Sequence, residues 1–179
     1  MKSLFFVAAT IIACQFSIVA FAASIQRNGD IGAGLILGEP TGFTIEFWQG
    51  SDRAIDTGLA FSFSSFFLVY ADYLFHFPGG FASLDHNSKS GGTFLHNLSP
   101  YIGIGGELLV NTNNSRTDQR FYTNSSGSSV GLGIRIPLGA EYFISRSPIS
   151  VFLELVPGIG VAPSTFGFFQ GGIGARYYF

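Results

Sequence analysis

The sequence predicts an all-β fold, an antiparallel up-and-down transmembrane β-barrel of eight strands, and three observations carry that expectation. The chain ends in Gly172-Ile173-Gly174-Ala175-Arg176-Tyr177-Tyr178-Phe179. Strand periodicity puts Ile173, Ala175, Tyr177 and Phe179 on one face and Gly172, Gly174, Arg176 and Tyr178 on the other, so one face suits lipid and the other a polar interior. The composition repeats this theme, with 24 Gly, 21 Phe and only 11% charged residues among 179. Apolarity dispersed by alternation is what a lipid-embedded barrel requires, because every backbone polar group must be paired within the sheet. The third observation is an apolar leader running from Leu4 to Ala23 behind Lys2 and containing Ala20-Phe21-Ala22. It reads as a signal peptide over residues 1–22, cleaved after Ala22, with residues 23–179 forming one barrel domain.

Two competing readings of the leader are weaker. A retained transmembrane helix is long enough at about 20 residues, but nothing downstream resembles a soluble domain in need of an anchor. Lipoprotein processing at Cys14 conflicts with the apolar run, which continues through Phe16, Ile18, Val19 and Phe21. Cys14 is the single cysteine, so the cleaved chain carries no disulfide framework and no thiolate metal site. Nine basic residues against eleven acidic ones, with no basic run, exclude nucleic acid as a partner.

Alternation then marks the strands in order. The first runs from Asp30 to Leu37, turning through Gly38-Glu39-Pro40-Thr41-Gly42, and the second from Phe43 to Trp48, turning over Gln49 to Arg53. The third spans Ala54 to Phe63, reversing at Ser64-Ser65, and the fourth spans Phe67 to Phe77. Pro78 to Asn97 is a long polar connection with room for a short element around Phe94-Leu95. The fifth strand, Tyr101 to Leu109, leads into the most polar stretch of the chain, Asn111 to Ser129, a solvated loop. The sixth, Val130 to Tyr142, contains Pro137, which cannot donate to a strand ladder and predicts a bulge. Ser145 to Pro148 turns into the seventh strand, Ile149 to Val156, and Pro157 to Ser164 connects it to the eighth, Thr165 to Phe179. Ten strands would consume the Pro78 to Asn97 connection, so eight is favoured over ten.

The same alternation turns Glu46, Asp56, Asp72, His76, Glu107, Arg135, Glu141, Glu154 and Arg176 inward, with glycines 103, 105, 131, 133, 172 and 174 leaving them space. An Arg or Lys on the lipid face costs about 2–4 kcal/mol near the bilayer midplane, whereas in the interior it can be paired. Arg135 and Arg176 are the expected hubs of an interior polar network, each a planar donor fork able to bridge two carboxylates. A barrel of about eight strands is just wide enough to be filled by its own side chains, which argues against a general diffusion pore. The surplus of acids over arginines leaves a narrow cation-favouring channel as the sharper alternative.

Other motifs weigh less. Gly103-Ile104-Gly105-Gly106 and Gly32-Ala33-Gly34 have no following helix and are strand glycines rather than nucleotide loops. His76, His86 and His96 recur every ten residues, but no acid or cysteine stands at a ligand spacing from them, so neither a metal nor another cofactor is expected. Some eight-stranded outer-membrane barrels are lipid A deacylases or acyltransferases using Ser, His and an acid. Here the candidates are His86 with Ser88, or His96 with Ser99, and Glu107 as orienting acid. His86-Asn87-Ser88-Lys89 keeps only the His-x-Ser part of the deacylase segment, and the expectation is that the protein is not an enzyme.

Leu37-Gly38-Glu39-Pro40-Thr41-Gly42-Phe43-Thr44, Tyr101 to Gly106, Arg135-Ile136-Pro137-Leu138-Gly139, Phe152 to Pro157 and Gly172 to Phe179 together resemble a family of small Gram-negative outer-membrane barrels, broadly like the OmpA transmembrane domain and OmpX. The resemblance spans nearly the whole cleaved chain and brings no established activity. It implies insertion in the bacterial outer membrane among lipids and lipopolysaccharide, delivery by periplasmic chaperones, and recognition by the barrel-assembly machinery of a C-terminal signal here formed by Tyr177 and Phe179. The expected role is structural, or surface interaction with an extracellular partner through 111–129.

Overall fold

A computed structural model of the chain describes residues 29–61, 66–81, 92–111, 130–163 and 165–179. The leader over 1–22, the reversal at Ser64-Ser65, the His86 and Ser88 pair and the polar stretch 112–129 lie outside the described residues. The strand segments are β1 Ile31–Glu39, β2 Thr41–Trp48, β3 Arg53–Phe61, β4 Phe66–His76, β5 Leu98–Asn111, β6 Val130–Arg135, β7 Leu138–Phe143, β8 Ile149–Ala162 and β9 Phe166–Tyr178. A short helix, α1 Gly92–Asn97, precedes β5. Consecutive strands pair antiparallel except β6 and β7, and β1 pairs with β9, so the sheet closes on itself. Both β6 and β7 lie between β5 and β8. The nine segments are therefore eight staves of an up-and-down barrel, the smallest size at which side chains fill the interior.

The split between β6 and β7 has a chemical cause, and it corrects the expected bulge at Pro137. Register against β5 is the same on both sides of the break, Gly105 opposite Arg135 and Ile102 opposite Leu138. Register against β8 is also kept, Arg135 opposite Gly158 and Leu138 opposite Leu155. No residue is inserted. Gly103 N–H donates to the Pro137 carbonyl at 2.8 Å and Ile136 N–H donates to the Pro157 carbonyl at 2.9 Å, but neither proline has an N–H to return the second bond of its pair. Two reciprocal bonds are thus lost side by side on one stave while the alignment survives. The register shift falls instead between Leu132 and Gly133, opposite Ala162 and Gly160, where Val161 is the extra residue of a bulge.

Other boundaries also move. The eighth stave begins after a connection far shorter than Pro157 to Ser164, because β8 continues through Pro157 to Ala162 and keeps Ile159 and Val161 on its exposed face. Only Pro40 separates β1 from β2, and β5 begins at Leu98. The Phe94-Leu95 element is α1, whose Phe94 ring stacks on Tyr142 at 4.9 Å.

Burial alternates along every stave. Leu35, Leu59, Ile104, Leu153 and Ile173 are exposed in the outer wall, with Phe43, Phe61 and Phe169 toward one end and Phe47, Phe75, Tyr177 and Phe179 toward the other. Inside, two apolar clusters bracket a charged layer. Trp48, Ala54, Leu74, Tyr101, Phe143 and Tyr178 close the end where β1 begins and β9 finishes, and Ala60, Phe66, Leu68, Tyr70 and Leu109 lie toward the other. At that second end β5 finishes and β6 begins. No helix among the described residues is long and apolar enough to cross a membrane, a fact that says nothing of strands.

Candidate functional site: the sealed polar interior

Glu46 on β2 stands directly opposite Asp56 on β3, and Asp56 directly opposite Asp72 on β4. Three carboxylates on neighbouring staves repel one another, and water is scarce in a filled barrel, so the arrangement depends on cations reaching in from the far wall. Arg176 and Arg135 do this. Arg176 Nη2 lies 3.1 Å from Asp56, and its Nη1 lies 3.5 Å from both Glu46 and Glu141. Arg135 lies 3.1 Å from Asp72, 3.4 Å from Glu154 and 3.9 Å from Glu107. Each guanidinium thus meets three carboxylates, and each lies over an aromatic ring, Arg176 at 3.9 Å from the Phe152 centroid and Arg135 at 4.0 Å from that of Tyr70. All eight of these charged side chains are buried.

Glycine makes room for them in a regular way. Glu46 is opposite Gly32, Arg176 opposite Gly34, Arg135 opposite Gly105 and Gly158, and Glu154 opposite Gly139 and Gly172. A Cβ on Gly105 would sit 1.9 Å from Asp72 Oδ1, and one on Gly174 would sit 2.3 Å from the Phe152 ring. The interior is therefore a checkerboard of long polar side chains and bare backbone.

Neutral groups complete the network and were not singled out by a reading that followed charge alone. Thr44 donates to Asp56 at 2.5 Å, Gln170 to Glu107 at 2.8 Å, Tyr101 to Glu154 at 2.9 Å, Trp48 to Glu46 at 2.7 Å, and Ser150 to Glu141. The Tyr178 hydroxyl donates to Glu46 and lies 2.8 Å from Glu141. Their signal was the same alternation, since each sits at an inward position. Tyr177 and Phe179 face outward and are exposed, and Phe179 N–H donates to the Ile31 carbonyl at 2.9 Å.

The catalytic candidates that fall within the described residues are not brought together. His96 lies exposed on α1 while Ser99 is buried in β5, and Glu107 belongs to the Arg135 hub. Ser99 instead lies 3.2 Å from His76 Nδ1, and Glu46 lies 3.4 Å from His76 Nε2. This has the composition of a Ser-His-acid triad, but the serine is on the nitrogen where the orienting acid belongs. All three residues are buried. A recess beside Pro40 touches Arg135, Glu154 and Gln170 and has an internal volume of only about 10 Å³, far below the usual ~300–1,000 Å³ of a ligand pocket.

The sequence profile of the family described as "Protein of unknown function (DUF3996)" matches residues 22–176. No curated protein matches the sequence. A solved structure described as "De novo design of transmembrane beta-barrels" is similar, at 15% sequence identity and a TM-score of 0.45, over 85% of this chain and 97% of that one.

Proposed function

Because this chain belongs to the family described as "Protein of unknown function (DUF3996)", a membership that brings no activity with it, we propose a function from the barrel itself. The protein is an integral outer-membrane barrel with a closed core, a rigid stave that strengthens the envelope or presents its 111–129 segment to an extracellular partner. The observation that carries this reading is the inversion of its two faces. Leu35, Leu37, Phe43, Leu153 and Ile173 are 52–61% exposed, while Glu46, Glu141, Glu154 and Arg176 are no more than 1% exposed. A water-soluble barrel gains nothing from that arrangement, whereas a lipid-solvated one requires it. Aromatic rings toward both ends of the outer wall fit the two membrane interfaces.

The packed interior supports this role over that of a channel. Planar-bilayer recording of the purified protein is expected to show no unitary conductance, and stable single-channel steps would overturn the closed-core reading. Surface exposure has its own test. A cysteine placed at Ser126 is expected to react with a membrane-impermeant maleimide on intact cells, while one at Ser51, in the turn between β2 and β3, reacts only after lysis. Deletion of Phe179 is expected to lower the assembled fraction in cells, consistent with a C-terminal aromatic read by the assembly machinery.

A further inference from the structure

Three side chains, near the end of the interior where β1 begins and β9 finishes, converge with one ligand-capable atom each outside any hydrogen bond. His76 Nδ1 lies 3.2 Å from Ser99 Oγ, and Nε2 makes no hydrogen bond. Glu46 Oε2 accepts from Trp48 and Tyr178, and Oε1 makes no hydrogen bond but lies 3.4 Å from His76 Nε2 and 3.5 Å from Arg176 Nη1. Glu141 Oε1 accepts from Ser150, and Oε2 makes no hydrogen bond. The three residues are at most 2% exposed, and a ligand atom from each lies within 4.8 Å of the others. A buried polar atom outside any hydrogen bond is costly; Glu141 Oε2 is one, and His76 Nε2 and Glu46 Oε1 face each other at 3.4 Å without a hydrogen bond between them.

We propose that Glu46, His76 and Glu141 form a binding site for a divalent transition-metal ion, with Zn²⁺ as the probe of that class. One imidazole and two carboxylates are a donor set suited to it. The outer partners supply what metal ligands commonly have. With Nδ1–H donating to Ser99, the imidazole presents the Nε2 lone pair inward, and Trp48, Tyr178 and Ser150 fix the two carboxylates by their other oxygens. Charge balance favours the same conclusion. Around Arg176 stand Glu46, Asp56 and Glu141, an excess of carboxyl groups over the single guanidinium that a divalent cation offsets. Arg176 is turned toward Asp56 and Thr44 at 3.1 and 3.2 Å, its closest polar contacts. The Trp48, Tyr101, Phe143 and Tyr178 rings cover the site, so the ion enters as the barrel closes. This inference does not rest on the proposed envelope role.

The test is to refold the protein into detergent micelles with ZnCl₂ or with EDTA, remove free metal, and measure bound zinc by mass spectrometry and the unfolding temperature by gel shift. The expected result is about one Zn²⁺ per folded chain, with unfolding raised by at least about 4 °C relative to the EDTA sample. His76→Gln and Glu141→Gln are expected to hold less than about a tenth of that zinc, and Glu107→Gln, in the Arg135 hub, to hold it fully. Wild-type protein that folds without retaining zinc overturns the proposal, as does undiminished zinc in the folded His76→Gln protein, which places the ion elsewhere. If the variants fail to fold, X-ray absorption at the zinc edge of the wild-type protein locates the ion: one imidazole among oxygen ligands is expected, and an all-oxygen shell overturns the proposal.

Discussion

Arg176 on the last stave and Asp56 on the third meet across the barrel interior at 3.1 Å, with neither exposed to solvent. A buried pair of this kind is asymmetric in its energetics. Forming it offsets a large desolvation cost, but removing one partner leaves an unpaired buried charge, worth about 3–5 kcal/mol of destabilisation. Arg176→Met is therefore expected to lower stability by about that amount, measured as urea-dependent loss of the folded band in micelles. Arg176→Met with Asp56→Asn is expected to be more stable than Arg176→Met alone, because the second change removes one stranded charge. Arg135→Met is expected to act in the same direction by stranding Asp72 and Glu154.

That pairing also marks where sequence reading stops. Period-two alternation alone assigns Glu46, Asp56 and Arg176 to one face, since a one-residue slip would move each to the other. It says nothing of which carboxylate meets which arginine. Partner choice depends on the order of staves and on their register, and Arg176 reaches Asp56 because β9 closes against β1, two staves from β3. His76 shows the same limit more sharply. Its metal-ligand neighbours come from β2 and β7, so no local spacing in the sequence reveals them. Pro137 was legible as a disturbance but not in its effect. Only with Pro157 placed opposite Ile136 does the loss of two ladder bonds without an inserted residue become clear.

Leu153 on β8 and Ile173 on β9 are directly opposite and each 59% exposed. In a water-soluble protein Leu153→Arg would fall within about 0.5 kcal/mol of neutral, as most surface changes do. In lipid it is expected to cost about 2–4 kcal/mol. Equilibrium refolding into phosphatidylcholine vesicles reads the difference directly, and a neutral result in vesicles would remove Leu153 from the lipid face.

Gly174 faces Phe152 across the β8–β9 pair, and a Cβ there would lie 2.3 Å from the ring and 2.4 Å from the Leu35 carbonyl oxygen. Overpacking of this kind costs about 1–3 kcal/mol. Gly174→Val is expected to displace the ring that lies under Arg176 and to lower the unfolding temperature. Gly174→Val combined with Phe152→Leu is expected to recover part of the loss, whereas Gly167→Ala, where nothing lies within 4 Å of the added Cβ, is expected to be nearly silent.

The measurement that tests the central claim most directly is refolding of the urea-denatured chain into lipid vesicles and, in parallel, into buffer without lipid or detergent, followed by gel electrophoresis with and without boiling. A lipid-solvated closed barrel predicts a band that migrates anomalously when unheated, shifts on boiling, and forms only in the vesicle sample. A monodisperse, β-rich protein in plain buffer would contradict the account, because its exposed wall of Leu, Ile and Phe would then be facing water.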